Sequence, residues 1–286
     1  METAAVPQLP WRGAAAQRPP GVAVPPARMP LMRAGRMLKR WRYVGMYGPE
    51  AMLCVGSAHV GPSRQVWWAV WDRETRRLHE RTRQLLGRGR VDVESAGRVA
   101  VRDGDVEIEL ALEEGEGVET VTPAGRTWIW TRKQGDVPAR GRVVLAGREL
   151  ALTGRAFVDE SAGYHDRTTS WRWSAGTGVS ADGRALAWNL AEGIHDRPGA
   201  SERTVWVDGE PREIGPVRFE PDLSAVAFAE GGGLRCAAEA TRERDDNLLV
   251  LRSRYAQPFG TFSGVLPGGI ELAEGYGVME RHDVRW

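Results

Sequence analysis

Val106-Glu107-Ile108-Glu109-Leu110-Ala111-Leu112 places an apolar side chain at every second position, the period of a strand that buries one face. The same period recurs outward from it. Trp128 and Trp130 share a face, as do Trp171 and Trp173, Val205 and Val207, Val217 and Phe219, and Leu249 and Leu251. Between such runs stand Asp103-Gly104, Ala146-Gly147, Asp182-Gly183, Asp208-Gly209 and Gly268-Gly269, where tight hairpin turns need positive φ. From about residue 40 onward the chain therefore reads as nearly all β. Roughly fifteen or more antiparallel strands of average length do not lie in one open sheet, because twist and bare edges drive closure into barrels or sandwiches. Two consecutive barrel-like units follow. The expected division is a Pro-rich arm over residues 1–34, a first β-domain over 35–155 and a second over 156–286. One segment admits two readings: Leu78, Leu85 and Leu86 fall near helical spacing over Arg73 to Leu86, while Arg73 to Arg77 also reads as the turn of a hairpin.

Composition narrows the function classes. The 286 residues are 42% hydrophobic and 27% charged, too apolar for intrinsic disorder. A formal net charge of +1 gives no basic field for phosphate backbones, so no nucleic-acid partner is expected. Cys54 and Cys236, the only cysteines, lack the spacing of a disulfide scaffold or a zinc ribbon, which fits a reducing cytoplasm. No three of the five histidines are closely spaced, so no metal site is expected. The longest strongly apolar run, Val66 to Trp71, is far short of the roughly 20 residues of a membrane span. Seven of the 17 prolines fall within the first thirty residues, predicting an extended arm rather than a helix. Lys39 and Lys133 are the only lysines, a bias that reads as genome base composition. Twelve Trp against five Tyr and five Phe ask for an explanation, since Trp is the bulkiest apolar side chain and carries one donor to satisfy.

Two polar constellations stand out. In Asp159-Glu160-Ser161-Ala162-Gly163-Tyr164-His165-Asp166-Arg167, Tyr, His, Asp and Arg gather just before Trp171 and Trp173, a grouping that supplies a general acid, a proton relay and an apolar wall. An Asp166–Arg167 ion pair at a strand start is the plainer alternative. If Asp166 is the proton donor, desolvation by the neighbouring Trp rings would keep its carboxyl protonated, Tyr164 would position the substrate or relay the proton, and Glu280 with His282 would form the opposing wall; His165 is expected in the same catalytic group and Arg167 among the ligand-binding residues. The second constellation is the last strand, where Tyr276, Val278, Glu280, His282, Val284 and Trp286 point one way and Arg281, Asp283 and Arg285 the other. The first face is expected inward, placing Glu280 and His282 among apolar neighbours, either as paired structural groups or lining a ligand cavity. His195-Asp196, in a Pro/Gly loop, reads as a solvated turn. No GxxxxGK, GxGxxG or GxSxG motif is present, so nucleotide binding and serine hydrolysis are not expected.

The strings Leu38 to Glu50, Gly56-Ser57-Ala58-His59, Trp71-Asp72-Arg73-Glu74, Trp128 to Lys133, Gly163 to Trp173, Val207-Asp208-Gly209, Ser253 to Gly260 and Glu280-Arg281-His282-Asp283 resemble the bacterial family described as domain of unknown function 2804, over about residues 35–286. More distantly, Gly163-Tyr164-His165-Asp166 followed by Trp171 is similar to a Gly-Tyr-x-Asp-His-x-Trp pattern of carotenoid hydratases and related double-lipocalin proteins. That resemblance implies two consecutive lipocalin-like, calycin-type barrels and marks Tyr164 and Asp166 as matched positions. Arg167 stands where the pattern has a second His, and Arg203 follows Glu202 where the closer family has Asn.

Three functions fit. The first is a carrier of a hydrophobic small molecule (a lipid, terpenoid or polyketide-like compound) in a cavity inside or between the barrels, lined by some of Trp128, Trp130, Trp171, Trp173 and Trp188. The second is a cofactor-independent acid-base enzyme, a hydratase, isomerase or cyclase, on a similar substrate. The third is a structural or interaction protein with filled barrels. No oligomeric state is read from the sequence.

Overall fold

A computed structural model describes residues 9–84, 90–247 and 252–286. Strands dominate it. The first set is β1 (Trp11–Gly13), β2 (Met32–Arg33), β3 (Arg36–Met37), β4 (Lys39–Tyr47), β5 (Ala51–Val60), β6 (Ser63–Asp72), β7 (Arg77–Gln84), β8 (Arg90–Asp92), β9 (Arg98–Asp103), β10 (Val106–Leu112), β11 (Val118–Ala124), β12 (Thr127–Leu145) and β13 (Arg148–Gly163). The second is β14 (Thr168–Ser180), β15 (Ala185–Glu192), β16 (Thr204–Val207), β17 (Glu210–Glu213), β18 (Val217–Phe219), β19 (Ala225–Phe228), β20 (Gly233–Asn247), β21 (Arg252–Leu266) and β22 (Ile270–Arg285). Among the described residues no helix is long and apolar enough to cross a membrane. The fold is all-β, two consecutive lipocalin-like antiparallel sheets each curled into a barrel-like unit.

The two sheets share one wiring, although the sequence halves show no clear repeat. The order is β7-β6-β5-β4-β13-β12-β10-β9-β8 in one and β17-β16-β15-β14-β22-β21-β20-β19-β18 in the other. In each, the first long strand pairs with the last: β4 with β13, from Met46↔Ala156 to Lys39↔Gly163, and β14 with β22, from Thr168↔Arg285 to Ser180↔Leu272. Pairing of first and last curls a sheet on itself, so each encloses an apolar interior. Val55, Trp68, Ile108, Val143 and Val158 fill the first. Leu186, Trp188, Phe219, Leu234, Phe262 and Met279 fill the second.

A third cluster lies where the sheets meet. Tyr43, Met52, Cys54, Trp71 and Phe157 of the first sheet pack there on Trp173, Ala187, Trp206, Phe259 and Val278 of the second. Phe157 stands edge-on to both Trp173 (centroids 5.9 Å) and Trp206 (6.0 Å), each such pair contributing about 0.5–1.5 kcal/mol beyond simple burial. Gly135 is required for this approach, because a Cβ there would lie 2.5 Å from the Trp206 ring.

Several expectations are settled by the coordinates. Arg73 to Leu86 is not a helix: a turn at 73–76 leads into β7, with Arg76 at φ 53°, while Leu85 and Leu86 lie outside the described residues, as do Leu249 and Leu251. The arm, described from Leu9 onward, has one 3-10 turn at Ala15–Gln17 and further turns at 20–21 and 25–26 between extended stretches. It buries Trp128, Trp130 and Val121 beneath Val24, Trp11 and Met29. Arg18 grips Glu119 with two hydrogen bonds, and Arg12 reaches the second sheet at Ser201 O (2.6 Å) and Thr204 Oγ1 (3.0 Å).

Candidate functional site

Side chains on alternate positions of paired strands line up in rows across a sheet, and those rows build a cavity of about 680 Å³ in the seam between the two sheets. One row of the first sheet runs Lys133, Asp159, Tyr43, Gly56, Trp67 across β12, β13, β4, β5 and β6. Gly56 lets the Trp67 ring lie flat, since a Cβ would fall 2.2 Å from its Cζ2. The adjacent row contributes Trp41, Ala58 and Gln65. Facing them, one row of the second sheet runs Trp171, His282, Tyr255, Arg244, and the next carries Trp173 and Glu280 with Gln257 and Arg242. The Trp41 and Trp171 rings stack across the seam at 6.4 Å and 7°, and Trp173 meets Tyr43 edge-on at 5.5 Å.

The buried polar groups are tied together. Glu280 Oε1 accepts from Trp171 Nε1 (2.8 Å), and Oε2 accepts from Tyr255 OH (3.0 Å) and Gln257 Nε2 (2.9 Å). Burial pushes the Glu280 carboxyl up from its ordinary value, more than the Trp171 and Tyr255 hydrogen bonds pull it down. On the facing sheet Lys133 Nζ contacts Asp159 Oδ1 at 2.5 Å and Glu202 Oε2 at 3.3 Å, and Trp41 Nε1 donates to Asp159 Oδ2 (3.3 Å). Burial raises Asp159 as well, against the pull of Lys133, while the two carboxyls flanking Lys133 raise it despite burial. Arg242 donates to Gln257 Oε1 (3.1 Å) and Glu80 Oε2 (3.0 Å). The buried charges lining the cavity are thus three carboxyls, Asp159, Glu202 and Glu280, against two cations, Lys133 and Arg242. An excess of buried carboxyls is what favours a retained proton. His282 is pushed down to about 4 by burial, shares a hydrogen bond with Ser253 Oγ (2.8 Å) and packs on Trp171 at 4.4 Å. His195, expected in a solvated turn, is instead buried against the cavity, with its pKa lowered to about 3. Among the described residues no group of three or more His, Cys, Asp or Glu side chains is arranged to hold a metal ion.

Of the residues singled out from sequence, Trp171, Trp173, Arg167, Glu280 and His282 line this cavity. The others lie elsewhere. Asp166 is not desolvated beside Trp171 and Trp173: its side chain is 68% exposed and pairs with Arg36 at 2.5 Å, because β13 ends at Gly163 and the chain turns outward there. Tyr164 is buried under the arm and donates to Pro30 O (2.8 Å). His165 is buried behind Trp41, ring centroids 4.9 Å apart, and burial holds it well below its ordinary pKa. Trp128 and Trp130 face the arm, donating to Ala23 O and to Glu119 Oε2. Trp188 fills the second interior against Phe262, its Nε1 donating to Ser174 Oγ. Sequence reasoning missed Trp41, Tyr43, Trp67, Lys133, Arg242 and Tyr255, and gave Asp159, which stands at the head of the first constellation, no role of its own. Lys133 carried a signal, as one of two lysines among many arginines.

A family model described as domain of unknown function (DUF2804) matches residues 87–286. No curated protein matches the chain in sequence. Among solved structures, a putative AttH from Nitrosomonas europaea is similar at 14% identity and a TM-score of 0.50, covering 91% of this chain and 98% of that one. Kievitone hydratase from Nectria haematococca is similar at 10% identity and a TM-score of 0.54, covering 85% and 88%. Both likenesses are likenesses of fold.

Proposed function

We propose that the chain, which belongs to the domain of unknown function 2804 family, binds an apolar small molecule such as a terpenoid, polyene or polyketide-like ring compound in the seam cavity. The observation that carries this reading is the cavity itself. Both sheet interiors are packed with side chains, whereas about 680 Å³ stands open between walls built from Trp41, Tyr43, Trp67, Trp171 and Trp173. That volume falls in the range of small-molecule pockets, and aromatic rings with fixed polar groups set among them are their usual chemistry. The test is a titration of fatty acids, terpenoids and polyenes against Trp fluorescence and melting temperature. Saturable quenching that weakens in Trp171→Leu supports the reading, and a flat response across the panel returns the protein to the filled-barrel class.

A second reading is favoured by Glu280. A buried carboxyl raised in pKa at the wall of an apolar cavity is placed to give a proton to a double bond or carbonyl of the bound molecule. Asp159 on the facing sheet is placed to take one from water or substrate. A neighbour of the same fold is a hydratase by its printed name, which agrees with this chemistry without assigning it. If the reading holds, Glu280→Gln keeps ligand affinity and loses turnover of any substrate found.

A further inference from the structure

Among the described residues the large exposed apolar side chains gather at one place. Of the five large hydrophobic side chains that are exposed among the described residues, Leu31 (60%), Met32 (54%) and Met37 (39%) fall within seven positions, on the two-strand β2–β3 hairpin, which joins neither large sheet. The hairpin sits beside the turn between β5 and β6, where Leu38 O accepts from Gly61 N (2.9 Å). Met37, Val60 and Pro62 line the cavity, so the exposed apolar tip is continuous with the rim of the apolar chamber. Charge completes the pattern. Of the eight basic residues from Leu9 to Pro49, a stretch with no acidic one, Arg12, Arg18, Arg36 and Arg42 pair with carboxylates and Lys39 is buried. Arg28, Arg33 and Arg40 are exposed and enter no ion pair among the described residues. Exposed apolar side chains accompanied by unpaired arginines suit a surface that lies on an anionic membrane, the apolar tip entering the headgroup layer and the cations meeting the lipid charge.

We propose that the β2–β3 hairpin docks the protein on anionic lipid surfaces, with the rim of the seam cavity turned toward the bilayer so that an apolar ligand passes between membrane and protein without crossing water. The purpose assigned to the docking rests on the small-molecule reading above; the docking does not. The hairpin is exposed and contributes to neither sheet interior, so substitutions on it leave the fold intact. The experiment is co-sedimentation with phosphatidylcholine vesicles made with and without phosphatidylglycerol. The full chain is expected to bind only the anionic vesicles and to be released by salt. Arg28→Gln and Arg40→Gln should each weaken binding about fivefold, and Leu31→Gln with Met32→Gln should abolish it while leaving the melting temperature and the fluorescence titration with free ligand unchanged. Failure of the wild-type protein to bind phosphatidylglycerol vesicles overturns the docking while leaving cavity binding untouched. Equal binding by the Leu31, Met32 double variant overturns it too. Self-association in ultracentrifugation that this double variant abolishes, without any vesicle binding, overturns it in favour of a second copy of the chain.

Discussion

Lys133→Met isolates the charge cluster at the base of the seam. Lys133 is 3% exposed and stands between Asp159, 8% exposed, and Glu202, 2% exposed. Methionine keeps much of the side-chain volume and removes the cation, leaving two buried carboxyls without a counter-charge. Breaking a buried pair from one side costs roughly 3–5 kcal/mol, a large share of a total stability of about 5–15 kcal/mol. Protonation sets a ceiling for Asp159. Bringing a carboxyl of ordinary value 3.8 to its neutral form costs about 1.36 kcal/mol per pH unit above that value, hence about 4 kcal/mol at pH 7 and about 1.6 kcal/mol at pH 5. In the variant the folded state holds a proton that the unfolded chain has released, so its deficit grows as pH rises and shrinks as pH falls toward 3.8. The assay is urea unfolding followed by Trp fluorescence, read as variant minus wild type at pH 7 and pH 5. The expected deficit is about 3–4 kcal/mol at pH 7, about 1–2 kcal/mol smaller at pH 5, and partly recovered in Lys133→Met with Asp159→Asn. A deficit below about 1 kcal/mol at pH 7, or one independent of pH, would refute the buried, coupled cluster.

Gly56→Ala should displace Trp67 from the cavity wall and cost about 1–3 kcal/mol as an overpacked substitution; calorimetry gives the loss, and the ligand titration shows whether quenching falls with it. Asp166→Asn removes an exposed ion pair with Arg36 and should change stability by less than about 1 kcal/mol with ligand affinity unaltered, so a large loss of affinity would return Asp166 to the site. Acid should destabilise the protein through two histidines lowered in pKa by their surroundings. His195 and His282 are lowered to about 3 and about 4, so the folded state refuses protons that the unfolded chain accepts, and the stability these groups lend above pH 6.5 is lost as pH falls through the folded values. A urea midpoint that holds steady from pH 7 to pH 4.5 would contradict this.

Alternation made the strands legible, and on β22 it sorted Glu280 and His282 onto one face correctly. It did not say what that face meets. The inward face of the sequence reading is the seam, and the barrel interior lies behind the other face, at Met279. The period is equally silent about Trp128 and Trp130, which resemble Trp171 and Trp173 in spacing and differ only because the arm covers them. Tyr164, His165 and Asp166 are adjacent in sequence, yet the chain leaves β13 at Gly163 and sends the three side chains to the arm, the space behind Trp41 and solvent. The cavity's own groups came from rows that cross strands far apart in sequence, such as Lys133, Asp159 and Tyr43, and register of that kind is fixed by tertiary pairing rather than by local pattern.

The pairing of first strand with last also sets a clock for synthesis. Strand β4 begins at Lys39, and its partner β13 ends at Gly163, so this edge is left bare until more than a hundred further residues have been made. At roughly 5–20 residues per second that wait is on the order of ten seconds. During it, β5, β6 and β7 fold back as successive hairpins on the other side of β4, leaving two open edges, one at β7 and the other at the free side of β4. Arg40 and Arg42 lie on that edge strand, and charge there hinders edge-to-edge joining of nascent chains. In the mature protein Arg42 is buried against Val93 O, Glu114 and Glu160, so one side chain guards the edge before closure and locks the sheet after it.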